Sequence, residues 1–121
     1  MAITQSYRAE VERTLSALVP IRVRSMFGGL GIYSGNLFFA LADDDRVYFK
    51  VDDVNLPHFL AEGMEPFDPM QNGKPMRYYE VPSRVWRDPI ELSLWVDQAL
   101  GVAQRASLRK KPHRTRLPNL V

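Results

Sequence analysis

The sequence predicts an α+β domain in the order α-β(3)-α-β(2)-α, an antiparallel sheet with helices packed against it. Three observations carry that expectation. Apolar residues recur at helical spacing near both ends, and they alternate with polar ones in the stretch that follows Pro20. Further on, Asn72-Gly73 separates two extended segments, the strongest short-range hairpin signal.

The first helix is expected over residues 5–19. Tyr7, Val11, Leu15, Leu18 and Val19 share one face, and Arg8, Glu12, Arg13 and Ser16 fill the other. Thr4 or Ser6 is placed to cap it, and Pro20 ends it. Three strands follow. Ile21 and Val23 alternate with Arg22 and Arg24, the pattern of a half-buried strand. Gly28, Gly29 and Gly31 then mark a bulge or a tight turn, and Ser34-Gly35-Asn36 supports a hairpin. Residues 37–42 and 46–51 pair across Asp43-Asp44-Asp45 to complete a meander.

A short helix through Leu56, Phe59 and Leu60 is capped by Asp53 or Asn55 and stopped by Gly63. Residues 67–70 and 75–81 read as two strands around Gln71-Asn72-Gly73-Lys74. Pro66, Pro69 and Pro75 place at least one of them at a sheet edge. The closing helix has the clearest start, because Asp88-Pro89-Ile90-Glu91 is a capping box with proline at the first helical position. Leu92, Trp95, Val96, Ala99, Leu100, Val102, Ala103 and Ala106 then form its broad apolar stripe. Beyond Ser107 two prolines appear and the period is lost. The expected division is a domain over residues 1–106 and a basic, flexible tail over 107–121.

The 121 residues are enough to bury one core, and 45% hydrophobic with 25% charged content excludes wholesale disorder. No basic region leads into an apolar stretch at the start, and the longest apolar run, residues 37–42, is far short of a membrane span. The absence of cysteine excludes disulfides, zinc–thiolate centres, iron–sulfur clusters and cysteine nucleophiles.

Little else suggests chemistry. The glycines of Phe27-Gly28-Gly29-Leu30-Gly31 lead into a strand, with no Lys or Thr placed to serve a phosphate loop. Asp43-Asp44-Asp45 and Asp52-Asp53 lack the spacing of a hard-cation loop. His58 and His113 are the only histidines, and Glu80 is a lone carboxylate on an alternating strand. No catalytic residue, metal or cofactor is expected. The aromatic residues, from Tyr33, Phe38 and Phe39 to Trp86 and Trp95, read as core rather than as a base-stacking platform.

Charge is divided unevenly. Residues 1–97 hold ten Lys/Arg against fourteen Asp/Glu, whereas residues 98–121 hold six cations and no acid. Those six, Arg105, Arg109, Lys110, Lys111, Arg114 and Arg116, are the candidate nucleic-acid contacts, binding phosphates without reading sequence.

Several blocks carry a resemblance. They are MFGGLGIYSGNLFFAL at 26–41, VYFKVDD at 47–53, GKPMRYYEVP at 73–82, and the closing helix from DPIELSLW. In this order and spacing, over roughly residues 7–105, they resemble the N-terminal domain of the TfoX/Sxy family of bacterial competence regulators. The resemblance implies the same order of elements, a cytoplasmic protein, and a link to regulation of DNA-uptake genes without known catalysis. It implies action with other transcription factors, and it defines no site residues to carry over. Full-length members add a helical C-terminal domain where this sequence has its basic tail, so a stand-alone module is expected. The expected partner is a protein, either a transcription factor or a second copy in a homodimer. Weak nucleic-acid binding through the tail is the rival reading, and no membrane contact is expected.

Overall fold

The computed structural model describes residues 3–26 and 28–110. In chain order the elements are α1 (Gln5–Ser16), β1 (Arg22–Met26), β2 (Gly29–Ser34), β3 (Leu37–Asp43), β4 (Arg46–Lys50), α2 (Leu56–Ala61), β5 (Tyr78–Glu80), α3 (Ser83–Trp86) and α4 (Pro89–Lys110). The five strands form one antiparallel sheet in the order β1-β2-β3-β4-β5, so every neighbour in space is a neighbour in sequence. The α+β class and the antiparallel sheet are as the sequence predicts.

The distribution of strands differs from the expectation of three before the short helix and two after it. Four precede α2 and one follows. Gly28 adopts φ 80°, and Met26 pairs with Gly29, so the glycine run makes a tight reversal that splits one expected strand into two. Residues 67–70 form no strand. Pro66 makes a single bridge to Tyr79, and Phe67 N–H donates to the Tyr78 carbonyl at 2.7 Å before the chain turns away. Pro66, Pro69 and Pro75 supply no N–H there, which stops a ladder from growing. A further short helix, α3, precedes α4.

Local chemistry explains most helix ends. Thr4 Oγ1 accepts from Tyr7 N–H at 3.2 Å to cap α1. Thr4 also donates through its N–H and its hydroxyl to Asp45 at 3.0 Å each, tying the cap to the β3–β4 turn. Past Ser16 the helix loosens into a turn in which Leu18 and Val19 N–H both donate to the Leu15 carbonyl. At α4, Asp88 Oδ1 accepts from Ile90 and Glu91 N–H at 3.1 and 3.2 Å. Only half of the expected capping box forms, because the Glu91 carboxylate turns to Arg84 at 2.9 Å. Arg84 also pairs with Glu62, so one guanidinium joins α2, α3 and α4.

Asn55 occupies the N-cap position of α2, but its side chain makes no capping bond. It lies 1% exposed, accepts from Asp52 N–H at 2.9 Å and donates to the Lys50 carbonyl at 3.0 Å. The amide thus fastens the end of β4 to the start of α2. Gly63, at φ 74°, closes that helix as expected.

α4 does not stop at residue 106 but continues to Lys110. Leu108, Arg109 and Lys110 are good helix formers, and cations at a helix C-terminus oppose its dipole. The first four residues of the expected tail are therefore helical, and residues 111–121 lie outside the described residues.

One core joins helices to sheet. Val11 and Leu15 of α1, Phe59 of α2, and Leu92, Val96, Ala99 and Ala103 of α4 cover Leu30, Ile32, Ala40, Ala42, Val47 and Phe49. A register shift between Ile32 and Tyr33 lets Phe39 join them. On the opposite face Tyr33 stacks on Phe38 at 4.9 Å, and Phe38 meets Tyr78 at 5.7 Å. Arg22 lies 4.7 Å over the Tyr33 ring at one end of this row, and Lys50 lies 5.1 Å over Tyr78 at the other. The aromatics thus divide between the core and a self-stacked row rather than all joining the core.

Candidate functional site

The two edges of the sheet are treated differently. Outside β5, Phe67 N–H donates to the Tyr78 carbonyl at 2.7 Å and Glu80 N–H to the Glu65 carbonyl at 3.1 Å, so that edge is closed by the chain itself. β1, at the other end, pairs only with β2 among the described residues. Its outer backbone groups are a template for another strand.

Alternation sorts the side chains of β1. Arg22 and Arg24 are exposed, while Val23 between them is half-buried and packs against the core margin beside Ile21. Arg22 is opposite Tyr33 and Arg24 is opposite Gly31. The Arg22 guanidinium is drawn over the Tyr33 ring, and its Nη2 reaches the Gly35 carbonyl at 3.4 Å. The Arg24 side chain has no ion pair or hydrogen bond among the described residues.

A second surface lies where α4 passes the end of β4. Lys50, Asp52, Asp53, Arg77, Arg105 and Arg109 line an open cleft of about 640 Å³. Arg105 Nε and Nη2 donate to the two oxygens of Asp52 at 2.9 and 3.1 Å. Those hydrogen bonds hold the Asp52 carboxyl below the usual carboxylate range against the opposing effect of burial. Arg77 lies 3.7 Å from Asp53, and Lys50 donates to the Tyr78 hydroxyl at 3.3 Å.

Of the six cations singled out in the sequence, the structure brings Arg105 and Arg109 to this cleft, and Arg105 is already committed to Asp52. Lys110 ends α4, and Lys111, Arg114 and Arg116 lie outside the described residues. Lys50 and Arg77 come from distant parts of the chain, and no local pattern groups them with Arg105.

A smaller cavity of about 260 Å³ between α1, β4 and α3 gathers Tyr7, Glu10, Asp45, Glu80 and Trp86. Its carboxylates are occupied. Glu10 accepts from Trp86 Nε1 at 2.8 Å, Asp45 holds Thr4, and Glu80 lies 3.7 Å from Arg46. Burial first, and then Glu10, pushes the Tyr7 hydroxyl pKa up. Asp45 thus ties α1 to the β3–β4 turn, Glu10 ties it to α3, and Glu80 faces Arg46 of β4. His58 packs on Trp95, with ring centres 6.2 Å apart. Among the described residues no three His, Asp or Glu side chains gather as metal ligands, and no helix is long and apolar enough to cross a membrane.

A family model described as the TfoX N-terminal domain matches residues 13–103, from the last turn of α1 into the second half of α4. No curated protein matches the chain.

Proposed function

The chain belongs to the TfoX N-terminal domain family, competence-related and regulatory in type with no catalytic role assigned, and on that premise we propose that it is a non-enzymatic regulatory module acting through protein contacts. Its setting is the cytoplasm, and its role is in control of DNA-uptake genes. One observation carries the reading: the sheet closes its β5 edge with its own chain and leaves the β1 edge open. An open edge supports recognition by strand addition, in which backbone hydrogen bonds supply affinity and alternate side chains supply specificity.

The test compares transcript levels of DNA-uptake genes in cells lacking the chain, carrying it, or carrying Arg22→Glu with Arg24→Glu. The module changes those transcripts and the double variant does not. Transcripts indifferent to the chain would remove the regulatory role, and an equally active double variant would remove the two β1 arginines from it.

The cleft favours a second reading, nucleic-acid binding, because Lys50, Arg77 and Arg109 stand around one opening while Arg105 is held by Asp52. Labelled duplex DNA titrated with the full chain across a salt series decides it. Neutralising several phosphates gives a log–log slope of about −3 to −5. Failure to bind at physiological salt would discard it.

A further inference from the structure

The side chains of β1 specify what the open edge accepts. In an antiparallel pair, residues directly opposite share a face, with Cβ atoms about 4.5–5.5 Å apart. A strand added to this edge therefore sets one row of side chains against Arg22 and Arg24 and the other against Val23 at the margin of the core. Arg24 brings a guanidinium with no protein partner among the described residues. Arg22 is oriented by the Tyr33 ring and the Gly35 carbonyl, with Nη2 the one side-chain donor bonded among the described residues.

A second copy of β1 fits poorly. Antiparallel self-pairing that keeps core face with core face sets Arg22 opposite itself, Arg24 opposite itself, or Arg22 opposite Arg24 in the registers centred on residues 22, 24 and 23. Like charges directly opposite are destabilising. Base stacking fits poorly too, since the two faces of the Tyr33 ring are taken by Phe38 and Arg22.

We propose that the β1 edge binds an extended acidic segment of a partner protein in which carboxylate side chains alternate with apolar ones. The carboxylates meet Arg22 and Arg24, and the apolar residue between them covers Val23. This rests on the reading of β1 as a docking edge, and it adds the chemistry of the occupant.

The experiment uses the full chain, isotopically labelled, and four capped peptides followed by amide chemical shifts. One peptide alternates Glu and Val over five residues. A second replaces Glu with Gln, a third replaces Glu with Lys, and the fourth is the acidic peptide with alternate backbone nitrogens methylated. The acidic peptide is expected to shift residues 22–26 and to bind about tenfold more tightly than the Gln peptide at low salt, the equivalent of two surface ion pairs. Backbone methylation is expected to abolish binding, and Arg24→Glu, which leaves one cation and one anion on the edge, to erase the preference between the Glu and Lys peptides. Arg24 is exposed, so an unchanged remainder of the spectrum confirms that this variant folds.

Equal binding of the Glu and Gln peptides overturns the acidic partner and leaves strand docking standing. Shifts confined to Lys50, Arg77 and Arg105, or no shift at β1 with millimolar acidic peptide, overturn the proposal. In either of those cases the transcript comparison of cells with and without the chain remains the separate judge of the regulatory role. Concentration-dependent broadening of β1 in the free chain names a second copy as occupant and overturns it as well.

Discussion

Arg105 grips both oxygens of Asp52 across 53 residues of sequence, joining the last third of α4 to the segment that leaves β4. The cation that composition alone offers to a polyanion is thus spent within the protein.

Removing that grip tests its structural share. Arg105→Gln is expected to lower stability at neutral pH by about 1 kcal/mol, the range of a well-aligned but partly exposed pair. The sign of the pH dependence follows from the depressed Asp52 pKa. The contribution is full above the unfolded carboxyl pKa and is lost as pH falls through the lower folded value. Urea unfolding of both proteins should show the gap at pH 7 and its closure in strong acid.

Asn55 gives a larger effect from an uncharged group. Asn55→Ala leaves Asp52 N–H and the Lys50 carbonyl without their partner at a buried site, a loss of about 2 kcal/mol. Asn55→Asp keeps the acceptor, loses the donor and buries a charge, so it should be the worse of the two. Thermal melts rank them, and an Asp variant as stable as the parent would contradict the assigned bonds.

Gly29 and Gly31 separate clash with backbone from clash with side chain. A Cβ on Gly29 meets the Ala42 carbonyl oxygen at 2.3 Å, and one on Gly31 meets the end of the Met26 side chain at 2.5 Å. Backbone in a paired strand cannot yield, whereas a methionine can swing aside. Gly29→Ala should cost about 2 kcal/mol or more and Gly31→Ala well under half of that, as read from denaturation midpoints. Equal costs would contradict the geometry.

Tyr78 carries a spectroscopic prediction. Burial first, and then the Tyr33 hydroxyl, pushes its pKa up to about 12. Stability from this group is complete below the unfolded tyrosine pKa and is lost as pH rises through the folded one. Phenolate absorbance should therefore show a component near pH 12 that Tyr78→Phe removes. Its persistence in the variant would assign it elsewhere.

Legibility varied with how local the deciding interaction is. α4 is plain from Asp88, Pro89 and the apolar stripe, since cap and period both lie within a few residues. Its end is not, because helix-forming residues without apolar spacing carry it on to Lys110. Gly28, Gly29 and Gly31 announce a special backbone, but only a left-handed Gly28 with Met26 paired to Gly29 distinguishes a reversal from a bulge. The alternation of Ile21, Arg22, Val23 and Arg24 shows a half-exposed strand. It does not show an outermost one, because strand order is set by pairings that no short window contains. The cleft was hidden for the same reason: Lys50, Arg77 and Arg105 approach one another only once α4 lies across the sheet.

The meander has a consequence for synthesis of the chain. β1 to β4 pair as they emerge, through turns of a few residues, and such local contacts form fast. Yet Leu30, Ala42, Val47 and Phe49 need Leu92, Val96 and Ala99 to cover them. At roughly 5–20 residues per second, the ribosome delivers α4 several seconds after β4. For that interval the sheet is expected to wait with α1 alone on its apolar face, and the part that α4 will cover is a defined surface for a nascent-chain chaperone to shield.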